Sequence, residues 1–333
     1  MLQLQNQTPF KTAIAVFPDR NGIDTVYVMI KGTCTLRPGI ALAEEQVPVI
    51  IADEYLGEPA LSSLKTASDY HIGKPGTDVL LVGHAWAPGG QAVSESTVTV
   101  TVAERSKTIR VFGDRVWRGG RPTDPLPFES MPLIWERAFG GFDNSTDQVL
   151  AEERNPVGIG FKGVRDADEF DDQPVPNLED PRKALQKLGQ IVDPVCFAPI
   201  APSWLPRRSF AGTYDAKWQR KRAPYLPDDF DSRFLQCATP ELAFERYLQG
   251  GEPVNIEGAT PDGPISFVIP AVRLAVDATV AGAAQKSMVN LETLLIEPDA
   301  NRASFTWRAA IPADRKVLKV ETIVVSLNGS ARA

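Results

Sequence analysis

The sequence predicts a mainly β fold: antiparallel sheets, sandwich- or barrel-like, around a long irregular middle with one or two short helices. Three observations carry this. Apolar and polar residues alternate with period two over several β-branched runs near both ends of the chain. Turn signals recur at roughly ten-residue intervals, the rhythm of antiparallel strands. The 28 prolines and 25 glycines in 333 residues disfavour long helices and favour turns.

Each element follows from its local pattern. Residues 12–17 are short and apolar, and residues 24–36 alternate over a β-branched run, so both read as strands. Further strands are expected over 47–51, 78–86, 96–102 and 107–112, with a turn at Ala87-Pro88-Gly89-Gly90. Residues 132–139 read as an isolated strand within the irregular part. Residues 180–189 read as a short helix, because Asp180 can cap it, Pro181 suits its first position and Gly189 follows its end. Residues 239–250 read as a second helix, with Thr239 as cap and Leu242, Phe244, Tyr247 and Leu248 as packing residues. Strands return over 265–269, 272–276, 289–297, 303–309 and 317–327, with a hairpin loop at 298–302.

Three regions result: an N-terminal antiparallel β region at 1–118, a loop-rich region at 119–238, and a short helix with a C-terminal β region at 239–333. Either the two ends build one sandwich with the middle inserted, or two β domains are present. A structureless stretch as long as the middle is usually functional or wraps a neighbour.

The net charge of −7 argues against nucleic acid as a general partner, since phosphate binding draws on a basic field. Local basic patches at 204–208 and 218–222 are the exception. No apolar run is long enough for a membrane span, and the first residues lack the pattern of a secretory signal. Three widely spaced cysteines (Cys34, Cys196, Cys237) suit buried thiols in a reducing compartment. The expected location is therefore the cytoplasm, with no membrane partner.

Tests for chemistry return little. Two histidines, His71 and His84, and no Cys-x-x-Cys or H-E-x-x-H leave no metal signature; His84 reads as a structural histidine. Residues 143–154 fail as a calcium loop, since Gln148 and Arg154 stand where Gly and Glu are required. No G-x-S-x-G is present. Gly158, Gly160 and Gly163 spell G-x-G-x-x-G, but the strand before and helix after that a dinucleotide site requires are not indicated, so these glycines read as turn-formers and no cofactor is expected. Glu129, Glu136 and Asp143 lie close in sequence to Trp135. They read either as salt-bridge partners of nearby arginines or as the carboxylates of a carbohydrate-active β-sandwich.

Six arginines and two of the six tryptophans, Trp117 and Trp135, fall between residues 110 and 161. On a strand over 132–139, Leu133, Trp135, Arg137 and Phe139 would share a face. Arg110, Arg115, Arg118, Arg121, Arg137 and Arg154, with nearby acids, form either a network pinning the chain's own loops or an exposed Arg/Trp surface for a protein partner, because Trp and Arg are favoured anchors.

The segments VGHAWAPGG (82–90), KTIRVFGDRVW (107–117), WERAFGG (135–141) and ERNPVGIGF (153–161) occur in that order. Together they resemble an uncharacterised-domain family encoded beside type VI secretion spike genes in Gram-negative bacteria. Weaker similarity covers 290–309. Members of that family are described as effector adaptors or chaperones that load a toxin, often one carrying or joined to a PAAR-type tip, onto the VgrG spike. The resemblance implies a non-catalytic adaptor whose partners are an effector, a PAAR-type tip protein and the VgrG spike. It transfers no residue map; Trp117, Arg118, Trp135, Arg137, Phe139, Arg154 and Phe161 are the partner-binding candidates. A purely structural part of the spike assembly is a third reading.

Overall fold

The β-branched run near residue 30 becomes the centre of the largest sheet. The structure is a computed structural model and describes residues 2–328. Its principal strands are β1 (Gln3–Asn6), β2 (Lys11–Pro18), β3 (Asp24–Thr35), β4 (Asp78–Leu81), β5 (Glu95–Val102), β6 (Arg105–Phe112), β7 (Pro253–Glu257), β8 (Ile265–Val268), β9 (Leu274–Val280), β10 (Ala283–Ser287), β11 (Val289–Glu297), β12 (Arg302–Pro312) and β13 (Val320–Leu327).

The largest sheet runs β2-β3-β12-β11-β4, with the two-residue strand Ala41–Leu42 added beside β3. Only the β11–β4 contact in it is parallel. Strands β3 and β12 pair over their full length, Thr35 opposite Arg302 and Thr25 opposite Pro312, so the N-terminal and C-terminal regions share one sheet. A five-stranded antiparallel sheet joins the pair Leu178–Glu179 to β6, β5, β7 and β8. A four-stranded sheet runs β1-β13-β9-β10 and again unites the two ends. No sheet among the described residues closes into a barrel. The mainly β class, with mostly antiparallel pairing, is what the alternating runs predict.

Alternation explains the core. In β5, Val98, Val100 and Val102 face inward with no exposed surface, while the intervening threonines form a ladder outside, Thr99 bonded to Thr108 and Thr101 to Ser106, both at 2.9 Å. Each large apolar side chain so buried contributes about 1.5–3 kcal/mol. The main sheet is buried on both faces. One carries Val26, Val28 and Ile30. The other carries charge: Lys31 pairs with Asp69 at 2.9 Å, Arg308 with Glu292 at 2.6 Å, and Lys74 with Asp78 at 2.7 Å. Residues 69–78 lie over this face and are fixed by these pairs. Breaking one would strand a buried charge at about 3–5 kcal/mol.

Both expected helices in the irregular and C-terminal regions are absent, for one reason. Helix formation needs each amide to bond four residues back, and here other acceptors take those amides. Over 180–189, the Leu185 amide donates to Glu179 and the Gln186 amide to the Gln190 side chain, both at 3.0 Å. Over 239–250, one turn forms on the Thr239 carbonyl. Then the Phe244 amide goes to the Thr77 carbonyl, Leu248 to Thr77 Oγ1, and Gln249 and Gly250 to Glu252. The packing residues of that segment are still the expected ones: Leu242, Phe244 and Leu248 are buried. The expected strand over 47–51 is also irregular, because Pro48 cannot donate and the Val47 and Ile50 amides bond the side chains of Thr33 and Asp69. The run over 78–86 breaks at Val82-Gly83 into β4 and His84–Trp86. The one α-helix among the described residues, Ala216–Lys221, is capped by Asp215, whose side chain accepts from the Trp218 amide at 2.7 Å.

Candidate functional site: a glycine-lined groove

The stretch expected as a strand over 132–139 is divided. Ser130–Pro132 pairs with His84–Trp86, Trp135–Arg137 forms a 3-10 turn, and Phe139–Gly140 pairs in parallel with Ile159–Gly160. The turn arises because its three side chains have partners in different directions. The Trp135 indole N–H donates to the carbonyls of Ala198 and Pro199, each at 3.1 Å, and the ring meets Trp204 edge-on at 6.0 Å. Glu136 accepts from the Ser63 amide and hydroxyl, both at 2.7 Å. Arg137 donates to Asp114 at 2.8 Å and Asn177 at 3.1 Å. Trp135 and Arg137 therefore share no face.

Asn155, fully buried, ties two of the sequence motifs together. Its Nδ2 donates to the carbonyls of Trp135 and Phe139. Its backbone carbonyl accepts from Gly141 at 2.9 Å and Gly158 at 3.3 Å. Glycine is required at this contact: a Cβ on Gly140 would stand 2.1 Å from the Asn155 carbonyl oxygen, and one on Gly158 2.3 Å from Asn155 Nδ2. The G-x-G-x-x-G pattern is thus explained in part by close backbone approach, and the element after it is the four-residue 3-10 turn Ala167–Phe170.

Around this pin the chain opens a groove of about 680 Å³. Gly140, Gly141, Gly158 and Gly160 line it, together with Leu61, Phe142, Val149, Ile159, Phe161 and Glu169. Leu61 is 64% exposed, Val149 63% and Phe142 48%, so the lining offers apolar surface to solvent. The Ser63–Glu136 contact fixes the loop that carries Leu61. Phe142 is held by antiparallel pairing with Ala151. Asp143 anchors the next turn: its carboxylate accepts from the amides of Ser145 at 2.9 Å and Val164 at 2.8 Å. These hydrogen bonds, led by the one from Ser145 and aided by Arg165, hold its pKa down at about 2.

The seven partner-binding candidates separate into two groups. Trp117, Trp135 and Phe139 are buried and offer no contact surface. Trp117 and Phe139 belong to a small second core with Phe170, Val175, Leu185 and Val192, against which half-buried Phe161 packs. Arg118 is exposed and pairs with Asp172 at 2.8 Å, an ion pair that solvent screens to little value. Arg137 is partly exposed beside Asp114. Arg154 grips both oxygens of Glu152 and reaches Asp193 at 2.5 Å; the hydrogen bonds to Glu152 raise its pKa further. Of the seven, Phe161 alone lines the groove.

Sequence reasoning missed Asn155 as a cross-motif pin and Leu61, Phe142 and Val149 as exposed apolar residues. The available signal was large apolar side chains inside polar, turn-rich segments. Among the carboxylates near Trp135, Glu136 bonds Ser63 with both oxygens rather than an arginine, and Trp135 has no free ring face. His84 Nδ1 is hydrogen-bonded to Asp299 at 2.8 Å, and the same carboxylate accepts from the Trp86 indole N–H at 3.1 Å.

Fold and site together define a mainly β protein with an open, partly apolar groove. A family model described as "Uncharacterized protein conserved in bacteria (DUF2169)" matches residues 21–308, and the chain belongs to that family. All four sequence motifs lie within the matched span. No curated protein and no solved structure matches the chain. No helix among the described residues is long and apolar enough to cross a membrane.

Proposed function

We propose that this protein is a non-catalytic cytoplasmic adaptor that holds a type VI secretion effector, or its PAAR-containing region, for loading onto the VgrG spike. The groove is the surface that engages the cargo. One observation carries the reading: Leu61, Phe142 and Val149 stand exposed around a single groove lined by the WERAFGG and ERNPVGIGF segments. Exposed apolar surface concentrated in one concavity is characteristic of a binding site. The resemblance of those same segments to secretion adaptors supplies the cargo. The reading needs no nucleotide and no metal, and the negative net charge argues against nucleic acid.

The test is affinity capture from a native lysate expressing the secretion genes, with wild-type protein and with Phe142→Asp/Val149→Asp. The wild type should recover an effector, a PAAR protein or VgrG, and the double variant should lose it while keeping its β-rich circular dichroism. Recovery of no secretion component by the wild type overturns the reading.

A further inference from the structure

The groove's rim is strongly one-signed. Residues 165–172, Arg-Asp-Ala-Asp-Glu-Phe-Asp-Asp, hold five acids and one arginine, and their segment contributes Arg165, Glu169 and Phe170 to the lining. Asp166, Asp168, Glu169 and Asp171 are exposed, and none forms an ion pair among the described residues. Asp172 alone of the five is paired, with Arg118. The loop bearing Leu61 adds exposed Glu58, also without an ion pair among the described residues. Of the nearby cations, Arg118 is taken by Asp172, and Arg165 and Lys162 are turned into the chain. Arg165 donates to the Phe161 carbonyl at 2.5 Å and stacks on Phe170 at 4.5 Å. Lys162 donates to the Arg165 carbonyl.

We infer that the groove takes a partner segment with an apolar centre flanked by lysine or arginine. The inference rests on the protein-binding reading of the groove and adds the chemistry of the occupant. Apolar side chains of the segment cover Leu61, Phe142 and Val149. Its flanking cations meet Glu58, Asp166, Asp168 and Glu169, which form no ion pair among the described residues. Opposite charge at a rim chiefly sets encounter rate and partner choice, while the apolar centre holds the complex. An acidic segment with the same apolar centre would meet like charge on arrival.

The probes are two short fluorescein-labelled synthetic peptides that share a Leu/Phe/Val centre, one flanked by lysines and the other by glutamates. Binding is followed by fluorescence anisotropy on the full chain. The lysine peptide should bind saturably and about tenfold or more tighter than the glutamate peptide, with the gap shrinking as salt is raised. Glu58→Lys/Asp168→Lys changes two side chains that make no hydrogen bond among the described residues, and it should reverse the preference. Phe142→Asp should abolish binding of both. Equal affinities for the two peptides, no saturable binding of the lysine peptide, or indifference to Phe142→Asp each overturns the inference. Its failure is separable from that of the adaptor reading. An effector captured through an acidic segment sinks this inference and spares the adaptor. Lysine-peptide binding with no secretion component captured does the reverse.

Discussion

Asn155 holds Trp135 and Phe139 at a fixed separation, its single amide donating to one carbonyl at 2.8 Å and the other at 3.0 Å. The Trp135 contact bridges 20 positions of sequence, and the groove opens directly beside it.

Asn155→Ala should lower stability by about 1–3 kcal/mol, because the Trp135 and Phe139 carbonyls each lose the Asn155 donor, Trp135 keeping only the Ala138 amide. Asn155→Asp should do no better, since a carboxylate cannot donate to them. Urea denaturation checks both, and an unchanged midpoint contradicts the assignment.

Gly158→Ala should cost about 1–3 kcal/mol through overpacking against Asn155 and the Ala138 carbonyl. Gly39→Ala, where an added methyl meets nothing within 4 Å, is the control and should be near neutral. Thermal midpoints of the two variants distinguish a local clash from a general intolerance of alanine.

Ser63→Ala removes the hydroxyl that bonds Glu136, a charged contact worth about 1.5–3 kcal/mol. The fold should persist. Hydrogen exchange should accelerate in residues 57–64, the loop that carries Leu61, and stay unchanged in β5. Uniform acceleration would show that the contact is not local.

His71 is mostly buried; its Nδ1 accepts from the Gly73 amide, and its Nε2 stands beside the Arg308 guanidinium, each at 3.1 Å. Lys74 is close, and Glu292 lies 3.9 Å away. Burial foremost, then Arg308 and Lys74, keep its pKa well below the usual value. An unfolded chain takes up a proton near pH 6.5 that the folded one refuses. Stability from this residue is thus complete above about pH 6.5 and declines as pH falls, by up to about 1.4 kcal/mol per unit. His71→Gln should flatten that slope between about pH 6.5 and 5, as read by denaturation at several pH values.

Burial pushes the thiol pKa of Cys34 and Cys237 up to about 11 and of Cys196 to about 12. All three are buried and free. A maleimide should label none in the native protein and all three in denaturant. Rapid native labelling of any one would show that its surroundings open.

The strands were legible where one rule sufficed. In β5 the period-two pattern matches burial on one face of a sheet; β3 and β11 are buried on both faces and stand out by their apolar, β-branched runs, the bounds of β11 coinciding with the expected 289–297. The two segments misread as helices begin with residues of capping type, and in the second Leu242, Phe244 and Leu248 pack as expected. What decided against them was the destination of their amides: Thr77 lies more than a hundred and sixty positions before Leu248, and no local pattern encodes that. The groove was half legible. Its glycines and aromatics stood out, but whether Trp135 faces inward depends on carbonyls at Ala198 and Pro199, which sequence alone does not bring near. The loop of Leu61 is tied to the site by Ser63 and Glu136, a contact across 73 positions.

The pairing of β3 with β12 has a consequence during synthesis. Strand β3 leaves the ribosome more than two hundred and sixty residues ahead of its neighbour at 302–312, since β3 ends at Thr35 and the neighbour starts at Arg302. At usual elongation rates the wait is on the order of tens of seconds. Throughout it, one side of an apolar, β-branched strand is an unpaired edge, the feature that recruits other chains into aggregates. A transcript truncated before residue 302 would make that exposure permanent. Such a fragment should be found insoluble, or bound to chaperones, even though it contains every residue of the groove.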